Sequence, residues 1–215
     1  MGITGQLSSQ IGGHTQEGNR RVAALCLQNP DLLGDIAQGL KSDDPCMLGD
    51  CAEVMTMVAQ VNPEFILPYA HYLPPLLMHK KARVRWETMH ALGLIAGHKP
   101  LLIEKHLKKL DELIHTDRSV IVRDWAVQAV ANYAGSGRKA AAKAYPLLLK
   151  AIPLWEFKQA HHALRGLINV AKLLPEKRDE IEPLGEEFMH HRRGVLSKAA
   201  KELLKALGIV VRRSV

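Results

Sequence analysis

Cysteine, aromatic rings and long apolar runs are all scarce in this chain, and each scarcity removes a class of protein. Cys26, Cys46 and Cys51 are the only cysteines among 215 residues. They are odd in number and lack Cys-x-x-Cys spacing, so neither a disulfide framework nor a cysteine zinc site is indicated, and a reduced cytoplasm fits best. No stretch approaches about 18 uninterrupted apolar residues. Residues 1–19 are rich in Gly, Ser and Gln without the apolar core of a signal peptide, so a soluble, unexported, cytoplasmic protein with no membrane partner is expected. Aromatic residues are 5% of the chain, few for stacking bases. Gly-x-Ser-x-Gly, the Walker phosphate loop and the dinucleotide fingerprint are missing, as are His-x-x-x-His and His-Glu-x-x-His. The adjacent pairs His161-His162 and His190-His191 point about 100° apart on a helix, so neither pair chelates one ion. Paired carboxylates such as Asp111-Glu112 and Glu186-Glu187 sit among Lys and Arg and read as solvated faces. No cofactor, no metal and no catalytic residue is therefore expected.

What the chain does have is an apolar fraction of 47%, enough for a real core, and a repeat. Helix-start signals recur at Asn29-Pro30-Asp31, Asn62-Pro63-Glu64, Lys99-Pro100-Leu101, Gly137-Arg138-Lys139 and Leu174-Pro175-Glu176. From residue 30 to 63, 100, 138 and 175 the steps are 33, 37, 38 and 37. Proline at the first helical position gives up an N–H that has no intrahelical partner, and an acid behind it suits the positive end of the helix dipole. Each signal is followed by a first helix, a polar break and a second helix. The second helices align best: Val84-Arg85-Trp86 lies 38 positions before Val122-Arg123-Asp124. Val122, Trp125, Ala126, Ala129, Val130 and Tyr133 form one apolar stripe, repeated at Ala163, Leu167 and Val170 and again at Ala200, Leu204 and Leu207. The expected organisation is a flexible segment 1–18, one repeat domain over 19–208 and a tail over 209–215. The repeats fall at 29–61, 62–98, 99–136, 137–173 and 174–208, preceded by a capping helix from Asn19 to Gln28.

Over residues 29–208 this pattern resembles the HEAT/armadillo-like α-solenoids. Its sharpest carrier is Asp117 ahead of Val122-Arg123, the spacing at which HEAT repeats place an aspartate and a Val-Arg pair. Tetratricopeptide repeats compete at a period of about 34 residues, but their Trp, Leu-Gly and Tyr positions are absent. The resemblance implies an all-α, right-handed α-solenoid of about five helical hairpins, with partners received on the concave side lined by second helices. With Val122, Ala126, Ala129, Val130 and Tyr133 buried, the strip turned toward that side is Asp124, Gln128 and Asn132, four apart. Its equivalents are Trp86 and His90 in the second repeat and His161, Arg165 and Asn169 in the fourth. Glu53 lies in the first repeat and Glu202 in the last. Arg85 and Arg123 are expected to serve the turns, and Trp155 to pack.

Charge is unevenly spread. The net is −4 over residues 1–61 and +6 over 137–173, within a total of +7. Lys158, Arg165 and Lys172, seven apart, make a plausible phosphate-binding stripe. The expectation is a non-enzymatic scaffold binding a protein or peptide segment through Trp86, His90, Asp124, Gln128, Asn132, His161, Arg165 and Asn169. The alternative is a DNA-binding HEAT-like protein, glycosylase-like if Trp86 and Asp124 mimic the tryptophan and aspartate of alkylpurine DNA glycosylases.

Overall fold

The computed structural model describes residues 2–13 and 15–209. No strand occurs among them, and the chain divides into two compact units, Met1–Leu102 and Ile103–Val215. Beyond Ile209, the expected tail lies outside the described residues.

The first unit contains α1 (Glu17–Gln28), α2 (Leu33–Gly39), α3 (Pro45–Val61) and α4 (Ala82–Ile95). The Asn-Pro signals work through side-chain caps. Asn29 Oδ1 accepts from the Asp31 N–H at 3.3 Å and Asn62 Oδ1 from the Glu64 N–H at 3.2 Å. Asp44, which no repeat signal marks, caps α3 by accepting from the Cys46 and Met47 amides. Such caps satisfy donors that have no partner inside the helix. α1 packs on α3 and α3 on α4, while α2 lies against α3. Val54, Val58, Ile66, Leu77, Val84 and Met89 are fully buried between them.

One expected first helix is not α-helical. Residues Pro63–Tyr72 and Pro74–Met78 form 3-10 helix. Pro68, Pro74 and Pro75 each lack an N–H and crowd the preceding turn, so the i to i−4 ladder cannot run through them and the tighter form takes over. Part of segment 1–18 also packs on this unit: Ile3–Gln6 form a 3-10 turn and Leu7 is completely buried.

The second unit holds most of α5 (Pro100–Thr116), then α6 (Val120–Ala134), α7 (Arg138–Ala151), α8 (Ala160–Leu173), α9 (Arg178–Phe188) and α10 (Gly194–Ala206). α6 packs on α8 and α8 on α10, so second helices lie side by side, while α7 lies against α6 and α8 and α9 against α10. The expected stripe is the core: Val122, Ala126, Ala129, Val130 and Tyr133 are all fully buried, as are Ala163, Leu167 and Val170. Trp125 is only half-buried. Gly137, at φ +149°, lets the chain turn between α6 and α7 where a Cβ would be strained.

The arginines behave as turn clamps. Arg123, 3% exposed, donates through Nη1 to the Asp117 carbonyl at 2.5 Å. Asp117 Oδ1 accepts from the Ser119 N–H at 2.8 Å, and Ser119 in turn caps α6. Arg85 does the same in the first unit, donating to the His79 and Lys80 carbonyls at 2.8 and 3.2 Å.

One tight approach in the second unit is at Gly166 of α8. A Cβ built there would lie 2.7 Å from the Ala131 Cβ on α6 and 2.9 Å from Leu148 Cδ1 on α7. Gly166→Val is therefore expected to cost about 1–3 kcal/mol through overpacking, read as a lowered thermal midpoint. Gly194→Ala, where a Cβ meets nothing within 4 Å, should leave the midpoint close to that of the parent.

Candidate functional site

The strip expected on the second helices is present in the second unit as a hydrogen-bonded row. Asp124, Gln128 and Asn132 sit on α6, each half-exposed. Gln159, just before α8, donates through Nε2 to Asp124 Oδ1 at 2.9 Å. His162 Nδ1 lies 2.8 Å from Gln128 Oε1, and Gln128 Nε2 donates to Asn132 Oδ1 at 2.8 Å. Asn169 Nδ2 donates to the Ala131 carbonyl at 3.1 Å. Arg165 Nε donates to Glu202 Oε2 on α10 at 2.9 Å. The row thus runs from α6 across α8 to α10 and alternates amide, imidazole, guanidinium and carboxylate.

Two of its members were not expected. They are His162, which meets Gln128, and Gln159, which meets Asp124; neither is on the strip the sequence singles out. Counting by the repeat period pairs positions 37 or 38 apart, but the side chains that meet from α6 to the start of α8 are 34 and 35 apart. The period relates equivalent positions, whereas the side chains that meet are set by how far α8 is displaced along α6. His161 stacks on His162 with ring centroids 3.9 Å apart. Burial holds both imidazoles low, His162 falling from 6.5 to about 3 with help from the neighbouring His161 and Arg165 charges. The row therefore carries neutral imidazoles at neutral pH.

Lys158 and Lys172 are exposed, whereas Arg165 is tied to Glu202. The other basic groups of residues 137–173 are largely matched by acids. Arg138 meets Glu176, and Lys143 and Lys139 lie 2.5 and 3.6 Å from Glu104. Net charge by segment therefore overstates the positive surface open to a polyanion.

In the first unit the second-helix face is acidic. Asp50 and Glu53 of α3 are 1% and 3% exposed. Arg83 Nη2 donates to Asp50 Oδ1 at 2.6 Å and to Glu53 Oε2 at 2.9 Å. Asn19 of α1, fully buried, donates to the same two carboxylates at 2.9 and 2.6 Å. Its Oδ1 accepts from the Ser8 N–H at 2.9 Å, and the Ser9 N–H reaches Asp50 Oδ2 at 2.8 Å. Burial works against ionisation of Asp50, but the bonds from Asn19, Ser9 and Arg83 outweigh it and hold its carboxyl below the usual range. Asn19, Asp50 and Arg83 were missed; the available signal was two acids inside the otherwise apolar run Pro45–Val61.

Trp86 and His90, both expected here, lie on α4 and are half-buried. The Trp86 indole N–H donates to Glu87 Oε1 at 2.9 Å, and His90 Nε2 lies 3.4 Å from Gln60 Nε2. His90, Gln60, Glu53, Glu87 and Thr56 border a cleft of about 420 Å³. Burial, followed by the nearby Glu53 charge, pushes Glu87 from 4.5 up to about 7, and burial pulls His90 from 6.5 down to about 4. Trp86 and Asp124 belong to different units. Among the described residues, no group of three or more His, Cys, Asp or Glu side chains is arranged to hold a metal ion, and no helix is long and apolar enough to cross a membrane.

No family model and no curated protein matches the chain. Solved structures do. A designed armadillo repeat protein in complex with the peptide (KR)4 is 21% identical, covering 95% of this chain and 97% of its own, with a TM-score of 0.72. An engineered protein is 18% identical over 97% of each chain, with a TM-score of 0.68. UNC-45 from Drosophila melanogaster is 14% identical over 96% of this chain and 31% of its own, with a TM-score of 0.69. The chain has the all-α helical-repeat fold of armadillo- and HEAT-type solenoids.

Two outcomes follow from these side chains. Arg83→Met leaves Asp50 and Glu53 buried without their cation. It should cost about 2–3 kcal/mol in chemical denaturation, below the range for a fully buried pair because the Arg83 side chain is 40% exposed. His162 has a folded pKa depressed below its unfolded value, so its contribution is complete above pH 6.5 and is lost as pH falls toward about 3. Unfolding free energy should decline across that interval, and His162→Gln should flatten the decline.

Proposed function

We propose that this protein is a non-enzymatic scaffold that binds an extended protein segment along the polar row of α6, α8 and α10. The observation that carries the reading is the row itself. Asp124, Gln128, Asn132, Arg165 and Asn169 are all half-exposed and joined to neighbours. An extended chain presents an N–H and a C=O about every 3.3 Å. Amide side chains both donate and accept, so a row held in fixed rotamers by its own cross-links can meet such a chain with little ordering cost. His161 flanks the same row, and Trp86 and His90 are assigned the same role on the first unit. Trp in particular recurs at binding hot spots.

Two considerations support a peptide over a nucleic acid. Four of the seven cations of residues 137–173 pair with Glu104, Glu176 or Glu202, and Arg165, the middle member of Lys158, Arg165 and Lys172, is one of them, so the three do not make an unopposed stripe. A designed repeat protein of the same fold is seen with a peptide. No group in the row is an activated nucleophile or a poised acid–base pair, which favours binding over catalysis.

Peptides selected from a random library against the intact protein are expected to lose about tenfold or more in affinity, or about 1.4 kcal/mol, on Gln128→Ala with Arg165→Ala. Titration calorimetry reads this directly. Unchanged affinity in that double variant would reject the face.

A further inference from the structure

The turn between α7 and α8 is built against backbone preference. Trp155, Glu156 and Phe157 have φ of +52°, +56° and +61°, three successive non-glycine residues in the left-handed region, where a Cβ crowds the backbone. The surroundings hold it there. The Trp155 indole N–H donates to the Ile114 carbonyl at 2.9 Å, and the Arg123 guanidinium lies over the ring, 3.9 Å from its centroid. Arg193 Nη1 donates to the Phe157 carbonyl at 2.9 Å, and the Phe157 ring meets Phe188 edge-on at 5.3 Å. Such strain persists because the surrounding contacts over-determine it.

Its product is a cleft. The turn sets Glu156, Phe157 and Lys158 before the first turn of α8, opposite His191, Arg192 and Arg193 before the first turn of α10. These six residues border a space of about 460 Å³. Lys158 and Arg192 are exposed, so three cations face one carboxylate. Phe157 and the stems of the long cations supply an apolar wall. α8 and α10 lie side by side, and neither N-cap residue, Gln159 or Arg193, caps its helix with its side chain. The positive ends of both helix dipoles thus add to the field of the cations.

We propose that this cleft docks an acidic peptide segment, with carboxylate side chains on Lys158 and Arg192 and a neighbouring apolar side chain against Phe157. A pocket fits this occupant better than a polyphosphate track, which requires a row of cations and would pass the Glu156 carboxylate. The polar row of α6 and α8 plays no part in it.

The test is fluorescence anisotropy of a labelled, C-terminally amidated peptide alternating Glu and Phe, titrated with the intact protein at low salt. Saturable binding is expected. It should weaken about tenfold or more on Lys158→Glu with Arg192→Glu and fall with added salt. Replacing the peptide's Glu by Gln should abolish it, while Lys172→Glu should leave it unchanged. Lys158 and Arg192 are exposed, so the double variant should melt with the parent. Absence of binding, or equal binding by the charge-reversed protein, would overturn the proposal. Equally tight binding of an oligothymidylate of the same charge would overturn it in favour of a nucleic acid.

Discussion

The close approach of α8 to α6 and α7 governs much of the second unit. Gly166 leaves no room for a methyl group beside Ala131 and Leu148. Small residues recur on the packed helices, with Ala126 and Ala129 of α6, Ala163 of α8 and Ala199 and Ala200 of α10 all buried. Dispersion contacts reward such proximity only when it is complete, since a gap well under the size of a water already forfeits part of the attraction. The hydrogen bonds from Gln159 to Asp124, between His162 and Gln128, and from Asn169 to the Ala131 carbonyl all span these backbones. A wider spacing would leave them unmade, so the apolar seam sets the geometry of the polar surface above it.

The first unit solves the same problem with charge. Asp50 and Glu53 are buried, whereas Asp124 and Glu202 of the second unit are half-exposed, and the buried pair is tolerated because Asn19 and Arg83 satisfy it from both sides. Glu87 lacks comparable compensation, which is why burial lifts its pKa while Asp50 is lowered. Two acids on neighbouring helices thus differ in protonation through their partners, not through their depth alone.

Local features were legible in the sequence and long-range ones were not. Asn29-Pro30 and Asn62-Pro63 start helical segments because cap and proline act within three residues. The stripe from Val122 to Tyr133 is buried because its period matches one helix face. The same logic took residues 63–78 for an α-helix, although Pro68, Pro74 and Pro75 already carried the reason for the 3-10 form. On the candidate site, spacing puts Gln128, Arg165 and Asn169 on one strip, but the contact of His162 with Gln128 is not legible, because the offset between neighbouring helices cannot be read from one of them. Asn19, Asp50 and Arg83 come together across 31 to 33 residues, and no local pattern announces that meeting. The left-handed turn at Trp155–Phe157 was equally hidden, because its residues are ones that seldom adopt it.

Cross-links from one helix to the next have a consequence for assembly. The side-chain bonds joining Tyr133 to Glu104 and Trp155 to Ile114 bridge 29 and 41 residues. Loop closure over such modest separations grows only slowly in entropic cost. Each newly made hairpin emerging from the ribosome therefore finds its neighbour already waiting, and ordering can advance stepwise along the chain without a distant segment being needed to begin it.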